Sequence, residues 1–180
     1  MILKEIIDMI KNIAYGIIIA LFIIQFIGQT SIVYDVSMQT SLYDGDIVWM
    51  EKITPTFKKF KRGDIVTIYS PKIKLDHGDT LVKRVVAIEG DHLLIKDGKV
   101  FVNGIVLEEN YTKGNYTKAP EESKNNNIII KSDYIYCLGD NRTTNIYDSR
   151  NMGEIDLNNI TGRLLFRFYP FKKAGSLLKK

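Results

Sequence analysis

The stretch Leu81-Val82-Lys83-Arg84-Val85-Val86-Ala87-Ile88 sets two cations inside an otherwise unbroken apolar, β-branched run. Such a run reads as a strand. Side chains alternate across a strand, so Lys83 shares a face with Leu81, Val85 and Ala87, and Arg84 shares the other with Val82, Val86 and Ile88. Each cation is thereby expected among apolar neighbours. Arginine keeps its proton in any protein setting, whereas desolvation lowers a lysine pKa and leaves a neutral amine. Lys83 is a candidate general base on that ground. The competing reading is an edge strand from which Lys83 snorkels its ammonium to water.

Outward from this stretch the pattern is that of a mainly β protein. Short β-rich runs fall at 32–36, 47–50, 65–69, 92–96 and 99–102, with turn residues between them, and the pattern resumes at 134–138 and 163–169. Asp97-Gly98 is a strong hairpin signal, and Asn103-Gly104 suggests a second turn into Ile105-Val106-Leu107. Residues 110–127 are polar and turn-rich and read as a long exposed loop. The hairpins and this loop, about 92–132, form an expected subdomain. With 180 residues and 45% hydrophobic content the chain can bury a real core. A net charge of +4 spread over scattered lysines argues little for an anionic partner, and no nucleic acid is expected. Cys137 stands alone, and His77 and His92 come without a cysteine cluster, so no disulfide, metal or cofactor is indicated.

At the amino end, Lys4, Glu5, Asp8 and Lys11 interleave with apolar residues, and 13–27 is then apolar apart from Gln25. Counted back through Ile10, with Lys11 snorkelling, this is long enough to span a bilayer. The expected organisation is a membrane anchor over 1–30 and one further domain over 31–180. A cleaved signal peptide and a buried soluble helix fit less well, because no A-x-A site follows and 17–24 has no polar stripe. Lys4 and Lys11 precede the span, whereas 28–51 holds neither Lys nor Arg. The positive-inside rule then puts the amino terminus in the cytoplasm and the domain outside the cell membrane.

Three further constellations stand out. Ser37-Met38 follows the anchor, and a serine hydroxyl needs a base, for which Lys83 is the best candidate in the chain. A Ser-His-Asp arrangement through His77 or His92 is the rival. Gly45-Asp46 and Gly63-Asp64 read as turns entering strands. Gly139-Asp140-Asn141-Arg142, followed by Asp148-Ser149-Arg150, reads as a hydrogen-bonded loop near a site, or as a surface salt-bridge loop of similar composition.

In their order along the chain, these blocks resemble the bacterial type I signal peptidases of the single-span Gram-positive kind. The resemblance rests on Ser37-Met38, Arg62-Gly63-Asp64-Ile65-Val66, Lys83-Arg84-Val85-Val86-Ala87 with Gly90-Asp91, Gly139-Asp140-Asn141-Arg142 and Asp148-Ser149-Arg150. It implies a β-rich signal-peptidase-like core with a hairpin insertion, preceded by one transmembrane helix. It further implies a serine endopeptidase with Ser37 as nucleophile and Lys83 as general base, supported by Asp148, Arg150 and Asn145. The implied oxyanion and substrate pocket involves Asp35, Val36, Met38 and Val82. Implied partners are membrane lipid and the signal peptides of secretory precursors with small residues at −1 and −3.

The chain departs from the family pattern locally. Thr40 and Ser41 stand where the family usually has proline and threonine, Asp35 where it has glycine or serine, and Asn145 or Ile146 where a serine normally contacts the lysine. Alternative readings are a specialised protein for pilin precursors, a non-catalytic assembly factor, and a Ser-Lys self-cleaving repressor.

Overall fold

The β-branched runs pair into two antiparallel sheets because only cross-strand bonding satisfies their backbone polar groups away from water. The structure, a computed structural model, describes residues 2–34, 36–71, 73, 78–114, 116–118, 124–143 and 147–178. Helix α1 (Ile2–Phe22) passes through a π-helical turn (Ile23–Ile27) into β1 (Gly28–Ile32). Then come β2 (Ile47–Glu51), the one-turn helix α2 (Ile53–Phe57), β3 (Ile65–Tyr69) and β4 (Thr80–Ala87). The second sheet is made of β5 (His92–Lys96), β6 (Lys99–Val102), β7 (Ile105–Val106) and β8 (Asn127–Ile129). The chain returns to the first sheet with β9 (Tyr134–Leu138), helix α3 (Ser149–Met152), β10 (Ile155–Asp156), β11 (Ile160–Tyr169) and β12 (Gly175–Ser176). The larger sheet runs β1-β2-β11-β3-β4-β9-β10, with β12 on β11, and the smaller β7-β6-β5-β8.

The strand carrying the two cations lies inside the larger sheet, where Val66 on β3 stands opposite Lys83 and Leu138 on β9 opposite Arg84. Lys83 is only 2% exposed, which overturns the snorkelling edge-strand reading. A register shift between Val85 and Ala87 alters the expected alternation. Leu81 and Val85 pack in one cluster with Val66, Ile68, Ile135 and Cys137, while Val86 and Ala87 both pack between the sheets with Leu93, Val100 and Leu138. The bulge re-aims Ala87, so it leaves the face that a regular strand would share with Lys83.

The first strand also differs from expectation. It ends at Ile32 instead of covering 32–36, because Val33 donates to the Asp46 carbonyl and accepts from the Gly45 N–H, which closes a loop. That loop carries Ser37. Gly28 starts the strand because a Cβ there would come within 2.4 Å of the Met50 carbonyl oxygen. The stretch read as an exposed loop is partly packed: Thr117 is buried and donates its N–H to Gly98, and 3₁₀ turn Lys124–Asn126 leads into β8. Every described residue of α1 is exposed, and Ile2–Ile27 is long and apolar enough to cross a membrane.

Between the sheets, Asp91 is buried and accepts from Arg62 Nε at 2.7 Å, from the Ile88 N–H at 2.9 Å and from Asn103 Nδ2 at 2.9 Å. Burial alone would raise its carboxyl pKa, but these donors, the Arg62 guanidinium foremost, outweigh it and hold the group below its ordinary value. A depressed carboxyl contributes stability that is present above its unfolded value and lost as pH falls through the folded one. Asp91→Asn should therefore lower Tm at pH 7, and the gap to wild type should close below about pH 4. Thermal melts of both proteins across that range check it.

Candidate active site

Lys83 Nζ and Ser37 Oγ are 2.6 Å apart and buried, so the strand and the loop after β1 together create one hydrogen-bonded pair. Ser37 as a whole residue is 8% exposed. The serine is held from beneath and from the side. Met38 is buried in a cluster with Val33, Leu42, Val48, Ile65 and Leu164, against which Val82 packs. The Ser37 carbonyl accepts from the Asn141 N–H at 2.9 Å, and Asn141 Nδ2 donates to the Val36 carbonyl at 3.2 Å. Gly139 permits this approach, since a Cβ there would stand 2.7 Å from the Ser37 carbonyl oxygen. Val36 is exposed beside the serine.

Arg84, next in the chain to Lys83, is fully engaged. Its Nε and Nη2 donate to the two Asp140 carboxylate oxygens at 2.8 and 2.7 Å, its Nη1 to the Gly63 carbonyl at 2.8 Å and its Nη2 also to Ser41 Oγ at 2.9 Å. The fork geometry of a guanidinium makes such a bidentate pair possible where an ammonium would not. Asp148 and Arg150 form a second buried pair: Arg150 Nη2 donates to Asp148 Oδ2 at 2.7 Å, while Asp148 caps α3 by accepting from the Arg150 N–H. Arg142 is buried as well. It donates to the Gly139 carbonyl, to Thr117 Oγ1 and bidentately to Glu109. The loop after β9 is therefore a buried ionic scaffold and not a surface salt-bridge loop. Burial pushes the Cys137 thiol well above its ordinary value, with Asp148 adding to the rise, so this cysteine stays protonated.

The expected residues Ser37, Lys83, Val36, Met38, Val82, Asp148 and Arg150 all lie in this region, whereas Asp35, Asn145 and His77 fall outside the described residues. His92 pairs through Nε2 with Asn127 Oδ1 at 2.7 Å on the second sheet, and the serine's partner is Lys83. Glu109 and Tyr111 were not singled out by the sequence reading. Tyr111 lies in the polar 110–127 stretch and Glu109 just before it, and neither belongs to a motif that marks a site.

The family model described as signal peptidase, peptidase S26, matches residues 6–169. The chain belongs to this family. It is similar to thylakoidal processing peptidase 1 of Arabidopsis thaliana, 36% identical over 149 residues that cover 79% of this chain and 42% of the relative. The chain thus spans about two fifths of the length of the Arabidopsis relatives it matches. It is also similar to a signal peptidase I of Leptolyngbya laminosa, 32% identical over 93% of this chain and 82% of the relative. A signal peptidase IB of Staphylococcus aureus is 30% identical over 94% of this chain and 93% of the relative. Family membership accords with the mainly β architecture and with the blocks that carry the resemblance. The pilin alternative finds no support in these relatives.

In this region, removing one partner of a buried pair strands a charge. Asp140→Ala leaves the Arg84 guanidinium without its carboxylate and should cost about 3–5 kcal/mol. Asp140→Leu combined with Arg84→Met should cost less than the two single changes summed, because neither charge then remains buried. Denaturant unfolding of Asp140→Ala, of the two single changes and of their combination reads the difference.

Proposed function

We propose that this protein is a membrane-anchored serine endopeptidase that removes signal peptides from secretory precursors. The observation that carries the reading is the 2.6 Å contact between Ser37 and a buried lysine in a chain of the S26 family. Burial disfavours the ammonium form of Lys83, and a neutral amine can accept the serine proton. Ser37 Oγ then bonds to the carbonyl carbon at the scissile peptide while its proton moves to Lys83 Nζ. Collapse of the tetrahedral adduct breaks the C–N bond, Lys83 returns the proton to the leaving amine, and an ester to Ser37 remains. Lys83 next takes a proton from water, the resulting hydroxide attacks the ester carbonyl carbon, and as the ester C–O bond breaks Lys83 gives that proton to Ser37 Oγ, which restores the hydroxyl and the neutral amine while the new carboxyl terminus departs.

In this reading residues 1–30 anchor the chain with the amino terminus in the cytoplasm, and 31–180 form the catalytic domain on the far side of the cell membrane, where exported precursors emerge. The 92–132 hairpins are an insertion in that domain. Lys4 and Lys11 before the span, against their absence over 28–51, support the orientation. Asp148 and Arg150 hold the loop that supports Ser37 from behind, and the exposed Val36 and half-buried Val82 are the pocket residues of this reading, whereas Met38 is buried beneath the serine. The family resemblance supports a preference for small side chains at −1 and −3 of the precursor.

Cleavage of a precursor peptide by the full chain in detergent tests this. Ser37→Ala and Lys83→Ala should each lower kcat by at least about 10³-fold, and the double variant should be no worse than either, because nucleophile and base act as a unit. Lys83→Arg should be equally inactive, since a guanidinium cannot give up its proton. A normal rate in Lys83→Arg would exclude the base role. Phe at −1 of the precursor should block cleavage in wild type.

A further inference from the structure

The turn that follows the nucleophile is gripped residue by residue from one segment that the reaction itself does not use. Thr40 Oγ1 donates to the Tyr111 carbonyl at 2.9 Å, and Gln39 Oε1 accepts from Lys113 Nζ at 3.2 Å. Ser41 Oγ accepts from Arg84 Nη2 at 2.9 Å, and the Arg84 guanidinium carbon lies 4.1 Å from the centre of the Tyr111 ring. All three residues after Ser37-Met38 are thus tied, directly or through Arg84, to residues 109–113.

That segment is itself anchored at both ends to the loop that holds the Ser37 carbonyl. Glu109 accepts from Arg142 through both carboxylate oxygens, and Arg142 Nε donates to the Gly139 carbonyl at 2.9 Å. The Lys113 N–H donates to the Asp140 carbonyl at 2.9 Å. Tyr111 sits at the middle, its hydroxyl donating to Glu109 Oε1 at 2.9 Å. Burial and the neighbouring Glu109 carboxylate push the Tyr111 phenol well above its ordinary value, so the ring stays neutral and its face remains available to the Arg84 cation.

We propose that residues 109–113 form a strap that positions the nucleophile turn, with Tyr111 as its positioning residue. This rests on Ser37 being the nucleophile. Tyr111 touches no reacting atom; it acts by fixing the plane of Arg84, which in turn fixes Ser41 and, with the Thr40 bond, the direction in which Ser37 leaves the turn. The outer bonds of the strap are exposed and weak singly, but they act on adjacent residues, and a nucleophile moved by a fraction of an ångström loses rate steeply. A strap of this kind changes kcat and not the affinity for an extended precursor.

The test uses the full chain in detergent, with Tyr111→Leu, Tyr111→Phe and Ser37→Ala. Tyr111→Leu removes the ring face and should lower kcat about ten-fold with KM unchanged, and Tyr111→Phe, which keeps the ring over Arg84, should restore most of the rate. Amide hydrogen exchange at residues 38–42 should quicken in Tyr111→Leu while the β3 and β9 amides keep their protection. A wild-type kcat in Tyr111→Leu, a change confined to KM, or no recovery with Phe would overturn the proposal. Should wild type cleave no precursor at all, the peptidase reading fails and the exchange measurement still decides the strap: unchanged exchange at 38–42 overturns it. If Tyr111→Leu does not fold, Thr40→Val against Thr40→Ser reads the same grip, with faster exchange at 38–42 expected only in the valine variant and equal exchange overturning the strap.

Discussion

The structure depends on keeping one lysine amine out of water at hydrogen-bond distance from one serine hydroxyl. An ammonium in a strand interior carries a large desolvation penalty unless a carboxylate meets it. Lys83 Nζ lies buried 2.6 Å from the Ser37 hydroxyl, with Leu81 and Val85 on the same face of the strand. Such surroundings favour the amine that the proposed chemistry requires. The rest of the fold can be understood as the means of holding that pair. A bulge after Val85 sends the next residues into the second cluster, and the β1–β2 connection folds Ser37 against the strand.

The buried arginines make the contrast plain. Arg84 meets Asp140, Arg142 meets Glu109 and Arg150 meets Asp148, each as a close pair with further carbonyl or hydroxyl acceptors. These pairs are costly to bury, and replacing them by apolar residues would do little harm to stability on general grounds. Their value is directional. Guanidinium forks fix planes, and the planes at Arg84 and Arg142 set the position of Ser41 and of the Gly139 carbonyl on either side of the Ser37 turn. A scaffold of fixed dipoles and charges costs no reorganisation when the reaction begins.

The strands were legible where periodicity and turn chemistry agreed. β3, β5, β6 and β9 fall where their alternation and the Asp97-Gly98 turn put them, and the odd placement of Lys83 and Arg84 was visible in the run itself. Ser37 stood out only as a serine shortly after the anchor with Lys83 as the best available base, and its role as nucleophile came from the resemblance of the ordered blocks. β8, β10 and β12 are two or three residues long, too short for a period to register. The grip of Tyr111 on Arg84, and of Glu109 on Arg142, joins residues far apart in a segment whose polar composition reads as solvent-facing. Only the fold shows that this segment crosses the buried loop after β9. The shift at Ala87 belongs to the same class, since a bulge leaves no mark in an apolar run.

Burial of the Lys83 amine makes the pH dependence of wild-type turnover the most direct measurement. With a precursor peptide in saturating amount, kcat should rise with pH as the amine loses its proton and level off below about 10.4, the ordinary lysine value. A rate that is flat or falling from neutral pH upward, in protein that remains folded, would contradict a lysine base at Ser37.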